Sequence, residues 1–230
     1  MQLLDGFELT FGAESISLPL QGQRLLALLA IQDRPLFRAS VAGTLWLDTT
    51  DERANANLRS ALWRLNSRGR RLVETNDHHM RLAQEVDVDL RAAVVVALRL
   101  MEGSAGADEL PHAQSVLAAD VLPDWYDDWV LVERERFRQL RLHALEFLCE
   151  RLAAAGDLGG ALRAGLAAVA ADPVRESAHR ALIRVHLAEG NHGEAVRQYH
   201  IFRQFLHERL GLEPSTHIED LVPGLDRGKR

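Results

Sequence analysis

Six arginines, Arg53, Arg59, Arg64, Arg68, Arg70 and Arg71, lie between residues 53 and 73 with no acidic residue among them. Guanidinium groups at that density suit phosphate neutralisation and bidentate reading of guanine edges. A solvated helix face is the alternative, although such faces usually interleave arginine with glutamate at i±4. Placed on a wheel at ~100° per residue, residues 51 to 68 put Ala54, Leu58, Ala61, Leu62 and Leu65 on one apolar stripe. The opposite face is centred on Ala56, Ser60, Trp63 and Ser67. Arg59 and Arg70 flank it on one side, and Arg53, Arg64 and Arg71 on the other. A helix entering a major groove about 12 Å wide needs small polar residues on its crest and arginines on its shoulders. The layout is that of a reading helix.

Trp63 is unexpected on an outward face. It either packs on a hairpin or a neighbouring subunit, or makes apolar contact with a thymine methyl or a sugar. Asn57 and Asn66 are open between adenine readout and ordinary surface roles. Downstream, Thr75, Asn76, His78, His79 and Arg81 sit where a hairpin enters a minor groove or touches phosphate, or else are plain turn residues.

Other chemistries find no pattern. The chain has no Gly-rich phosphate loop followed by Lys-Ser or Lys-Thr, no GxSxG, no CxxC and no HExxH. The expectation is no catalytic residue, no metal and no cofactor. His78 with His79, His186 with His192 and His200 with His207 lack companion ligands at i, i+4. Asp124, Asp127 and Asp128 around Trp125 and Trp129 read as an acidic, aromatic turn positioning a helix that opens at Val130. Cys149 shares an apolar face with Leu145, Leu148 and Leu152, as a buried structural thiol does.

The elements that must position these residues follow from periodicity and breakers. Leu3, Phe7, Leu9, Phe11, Ile16, Leu18 and Leu20, broken by Gly6, Gly12 and Pro19, predict short antiparallel strands. Residues 23–32 and 39–47 predict two short helices around Pro35. Thr50 is placed to cap a third, with Asp51 and Glu52 in its first turn. Residues 72–75 and 79–82 flank Asn76-Asp77-His78 as a hairpin.

Beyond Leu90 the pattern is alanine- and leucine-rich and helical to about Leu225, punctuated by Pro123, Pro173 and Pro214. Gly156-Asp157 followed by Ala161 recurs as Gly190-Asn191 followed by Ala195, at an offset of 34 residues. That is the tetratricopeptide period. About three such units are needed for a continuous core, so helices before Cys149 must supply the rest.

The 230 residues, 47% hydrophobic and 26% charged, suffice for one large or two small domains and exclude a disordered chain. A lone cysteine fits a reducing cytosol, and no uncharged apolar run approaches the ~18 residues of a membrane span. Net charge is −6, which opposes general nucleic-acid stickiness but leaves room for the local +6 between residues 53 and 73. Residues 1 to 89 hold 10 arginines against 12 acids, and the remainder 17 basic against 21 acidic. Lys229 is the only lysine.

The ordered set Leu45-Trp46, Asn57-Leu58-Arg59, Leu62, Arg64-Leu65, Leu72-Val73, Arg81-Leu82 and Val86-Asp87 matches one known pattern. It continues through Leu122-Pro123, Asp128-Trp129, Glu133-Arg134, Gly156-Asp157, Asp172-Pro173, Glu176, His179-Arg180, Tyr199 and Leu210-Gly211-Leu212-Glu213-Pro214. Over about residues 1 to 222 the chain resembles the Streptomyces antibiotic regulatory protein (SARP) family of transcription activators. The resemblance implies a mainly α fold with small β. Residues 1–90 would form an OmpR-type winged helix-turn-helix, and residues 91–230 an all-α, tetratricopeptide-like bacterial transcriptional activation domain.

It further implies a sequence-specific activator that binds direct repeats near a promoter, as a homodimer on DNA, and recruits RNA polymerase holoenzyme with its sigma factor. The regulated genes would be a secondary-metabolite cluster such as antibiotic biosynthesis, and the location cytoplasmic, at the nucleoid. Arg59 and Arg64 carry over as DNA contacts, while Arg53, Arg68, Arg70 and Arg71 follow from charge as phosphate contacts. The loop of Trp46, Asp48, Thr49 and Thr50 corresponds to the segment that faces polymerase. Two departures stand out: His79-Met80-Arg81-Leu82 replaces the usual Gly-Tyr-Arg-Leu of the wing, and Arg64-Leu65-Asn66 replaces Arg-Leu-Arg. The expected form is a small stand-alone regulator. The alternative function is a protein-interaction adaptor with little DNA affinity.

Overall fold

A computed structural model describes residues 1–66 and 71–222. Ser67, Arg68 and Arg70 lie outside the described residues. The chain divides into two compact units: Met1–Ala92 with Ala119–Arg136, and Ala93–Ala118 with the residues from Phe137 onward.

In the first unit, β1 (Thr10–Phe11) and β2 (Glu14–Ser15) form a minimal hairpin, followed by α1 (Leu20–Gln32), β3 (Leu36–Phe37), α2 (Arg38–Leu45), α3 (Asp51–Asn66), β4 (Val73–Thr75) and β5 (His79–Leu82). The N-terminal sheet is smaller than the alternation predicts, because Asp5, Gly6 and Gly12 adopt positive φ and turn the chain away from extended pairing. Instead Leu4 bridges Val121, and the Leu122 amide donates to the Leu3 carbonyl at 2.9 Å. The second sheet is antiparallel with β5 between β3 and β4.

Helix α1 begins at Leu20, three residues earlier than periodicity places it, because the Pro19 carbonyl accepts from the Gly22 and Gln23 amides and opens the first turn. Leu25, Leu26 and Leu29 are fully buried against α3 and β5. Helix α2 stops at Leu45, two residues early. Thr49 turns back there, its hydroxyl donating to the Trp46 carbonyl at 3.0 Å.

The second unit takes in most of α4 (Asp89–Met101), α5 (Leu110–Ala118) and most of α6 (Asp128–Ala154). It continues with α7 (Leu158–Ala171), α8 (Glu176–Ala188), α9 (His192–Leu210) and the short α10 (Thr216–Glu219). Helices α7 and α9 start 34 residues apart, each after a glycine at positive φ, Gly156 and Gly190. Asp157 caps α7, its Oδ1 accepting from the Gly160 amide at 2.8 Å. Gly165 lets α7 approach its neighbours, since a Cβ there would sit 3.2 Å from Leu182 Cδ1 and 3.3 Å from Cys149 Sγ. Cys149 is fully buried, and desolvation pushes its thiol up to about 11.

His179 is the buried polar centre of this unit. Its ring Nε2–H donates to the Pro173 carbonyl at 3.0 Å, its Nδ1 accepts from Gln198 at 2.8 Å, and Phe202 lies 4.7 Å from the ring. These partners fix a neutral tautomer, and burial holds the pKa below its ordinary value. No helix among the described residues is long and apolar enough to cross a membrane.

Candidate nucleic-acid interface

Helix α3 is built as its sequence demands. The Thr50 hydroxyl accepts from the Arg53 amide at 3.4 Å, and the Thr50 carbonyl accepts from the Ala54 amide at 2.8 Å. Asp51 and Glu52 occupy the first turn, where the helix dipole favours them. The stripe of Ala54, Leu58, Ala61, Leu62 and Leu65 is buried, against α1 and α2.

What this burial leaves outward is the cationic face. Arg53, Arg59, Ser60, Trp63, Arg64 and Asn66 are exposed, and Asn57 is half-buried. Arg53 and Arg59 form no ion pair among the described residues. The Ser60 hydroxyl donates to the Ala56 carbonyl at 3.0 Å, leaving its oxygen lone pairs outward. Trp63 is 72% exposed, so it does not pack on the hairpin. Asn57, Ser60 and Arg64 also line a groove of about 650 Å³ shared with Gln21 and Trp46.

The hairpin behaves differently. Asn76 Oδ1 accepts from the His78 and His79 amides at 3.0 and 2.7 Å, closing a tight Asx turn. Thr75 is exposed beside that turn, and Arg71 is exposed before β4. His79 is half-buried with its ring 4.2 Å from that of Phe37. Arg81 pairs across the strands with Glu74 at 2.6 Å. The hairpin thus carries a histidine docked on Phe37.

The loop of Trp46, Asp48, Thr49 and Thr50 connects α2 to α3. Trp46 and Thr49 are half-buried, Asp48 and Thr50 exposed. Arg24 in mid-α1 holds this loop: its guanidinium donates to the Leu45 carbonyl at 3.0 Å and pairs with Asp127. Sequence reasoning had no means to find that bond, because its partners are 103 residues apart. The acidic, aromatic turn of residues 124–128 is therefore bound into the first unit, and α6 opens at Asp128, two residues before Val130. Trp125 stacks on Phe7 at 6.0 Å and meets Trp129 edge-on at 6.3 Å. Among the described residues no group of three or more His, Cys, Asp or Glu is arranged to hold a metal.

A family model described as the bacterial transcriptional activator domain matches residues 97–223, more than half of the chain. The chain belongs to the bacterial transcriptional activator domain family. That is a family of bacterial transcription regulators. No curated protein matches it. Among solved structures, Mycobacterium tuberculosis EmbR, in complex with a low-affinity phosphopeptide, aligns with a TM-score of 0.74 at 20% identity. The alignment covers 96% of this chain and 63% of the EmbR chain, so this chain spans less than two thirds of that protein. The likeness shows a shared fold, mainly helical with small antiparallel sheets toward the N-terminus.

Proposed function

We propose that this activator reads promoter DNA with α3. Residues 1–90 act as the winged helix-turn-helix, and residues 91–230 as the activation domain. The observation that carries the reading is the outward face of α3, where Arg53, Arg59, Ser60, Trp63 and Arg64 stand exposed over a buried apolar stripe. On that reading Arg59 and Arg64 reach base edges, Ser60 and Asn57 add polar contacts, and Trp63 offers an apolar surface for a thymine methyl. Arg53 and Arg71 neutralise phosphates, as Arg68, Arg70 and Ser67 do on the sequence argument alone. Thr75 is the hairpin residue best placed for the adjacent backbone. His79 and Arg81 contribute once they leave Phe37 and Glu74.

The target is a pair of direct repeats near a promoter, bound by two copies of the chain. RNA polymerase holoenzyme with its sigma factor is recruited through the loop of Trp46, Asp48, Thr49 and Thr50, to switch on a secondary-metabolite cluster. Footprinting on the promoter region nearest its own gene tests the target. A protected pair of repeats is expected. Neutralisation of about five phosphates gives a slope of log K against log salt near −4.5. A flat salt response with no footprint would instead mark a protein-interaction adaptor.

A further inference from the structure

The groove between the start of α1 and α3, about 650 Å³, lies within the roughly 300–1,000 Å³ of small-molecule sites. Its floor is apolar and buried, built from Leu18, Ala61 and Leu65. A Cβ on Gly22 would stand 3.3 Å from Leu65 Cδ2, so a larger residue there would crowd that floor. The rim is polar: Gln21 and Arg64 are exposed, and Asn57 is half-buried beside the Trp46 indole. DNA does not account for this shape, because a phosphate gains nothing from a floor of leucine side chains.

The lining also selects by charge. Arg64 is its one charged side chain among the described residues, and no Asp or Glu is present to oppose it. The first turn of α1 has neither an acid nor a side-chain cap, so the positive end of its dipole reinforces the same sign. The carboxamides of Gln21 and Asn57 add donors at the rim. An amine would meet Arg64 as a like charge, and a fully polar anion would leave the floor unused. An apolar, aromatic body carrying one acidic group fits both parts.

We propose that this groove binds a small aromatic organic acid, its rings on the Leu18–Leu65 floor beside Trp46 and its carboxylate or sulfonate at Arg64, and that occupancy excludes DNA from α3. Asn57 and Arg64 serve either the ligand or the bases, so the two compete for one set of side chains. The exclusion rests on the reading of α3 as the DNA-binding helix; the binding itself does not.

The test titrates the full chain with anilinonaphthalene sulfonate, an aromatic sulfonate that fluoresces in apolar sites, and with phenylnaphthylamine, which has the same rings and no sulfonate. A saturable site is expected, with affinity for the sulfonate about tenfold or more above that for the neutral amine. Gln21→Glu places a carboxylate on the exposed rim and should weaken sulfonate binding about tenfold, and Gln21→Lys should strengthen it. Both variants should keep the wild-type thermal midpoint and phenylnaphthylamine affinity. Promoter DNA should displace the sulfonate, and the sulfonate should raise the apparent Kd for DNA. Absence of a saturable site, equal affinity for the neutral amine, or wild-type sulfonate affinity in both Gln21 variants would overturn the proposal. A sulfonate that answers to Gln21 yet stays bound beside DNA would overturn the exclusion. A wild type that binds no promoter DNA would sink the α3 reading, while the Gln21 variants would still decide the site.

Discussion

Arginine on α3 and arginine in the second unit do two different jobs. On α3, Arg53 and Arg59 project from the helix with no acid to meet them after the first turn. In the second unit, Arg138 pairs with Asp172 at 2.9 Å, Arg175 with Glu146 at 2.5 Å and Arg184 with Glu150 at 3.2 Å. Glu146 also accepts from the Ser177 hydroxyl at 2.6 Å, so the carboxylate ties α6 to the start of α8. These arginines of the second unit serve its own packing, whereas Arg53 and Arg59 on α3 stand outward, unlike Arg24 and Arg81 of the first unit, which pair with Asp127 and Glu74. Charge summed over the chain hides this, because −6 averages a satisfied surface with an unsatisfied one.

Substitutions sharpen the contrast, the largest effect coming from the core beneath α3. Leu58 is 1% exposed, and Leu58→Ala is expected to cost about 2–5 kcal/mol in urea denaturation, taking DNA binding with it. Arg175→Ala should cost about 1.5–3 kcal/mol of stability, by loss of a charged hydrogen-bond network. It should leave promoter affinity unchanged. An Arg175→Ala protein as stable as wild type would break the comparison from the helical side. Thr50→Ala removes the α3 cap and should lower stability by about 1 kcal/mol, read as a shift in the denaturation midpoint.

The smallest effect is with pH. Burial lowers the His179 pKa in the folded protein, while the unfolded chain titrates near 6.5. The unfolded state therefore binds more protons, and stability rises with pH. It is complete above about pH 6.5 and declines as pH falls through the window between the unfolded and folded values. His179→Gln should flatten the urea midpoint measured between pH 7.5 and pH 5.5. A histidine variant with the wild-type slope would contradict this assignment.

The sequence carries α3 and the 34-residue repeat well, because both are local patterns that tertiary packing leaves intact. The stripe from Ala54 to Leu65 is buried as a 3.6-residue period requires. The exposed face of the same helix follows by subtraction. Less of the hairpin was visible: the Phe37–His79 contact and the Arg81–Glu74 pair depend on strand register, which composition does not set. The turn around Tyr126 was readable as acidic and aromatic but not as a neighbour of the α2–α3 loop. That adjacency depends on the Arg24–Asp127 pair and on the bridge between Leu4 and Val121, contacts of high sequence separation with no local signature. The early start of α1 shows the same limit on a smaller scale, since a proline carbonyl rather than an apolar period opened the helix.

The reading role of α3 is tested most directly by the promoter affinity of Arg59→Ala, titrated across salt concentrations beside wild type and Arg175→Ala. A loss of about 1–3 kcal/mol in binding is expected for Arg59→Ala, at unchanged stability. If the guanidinium also reaches a phosphate, the salt slope falls by about one contact. Arg175→Ala should bind the promoter as wild type does. Equal promoter affinity for Arg59→Ala and wild type, at every salt concentration, would contradict the account.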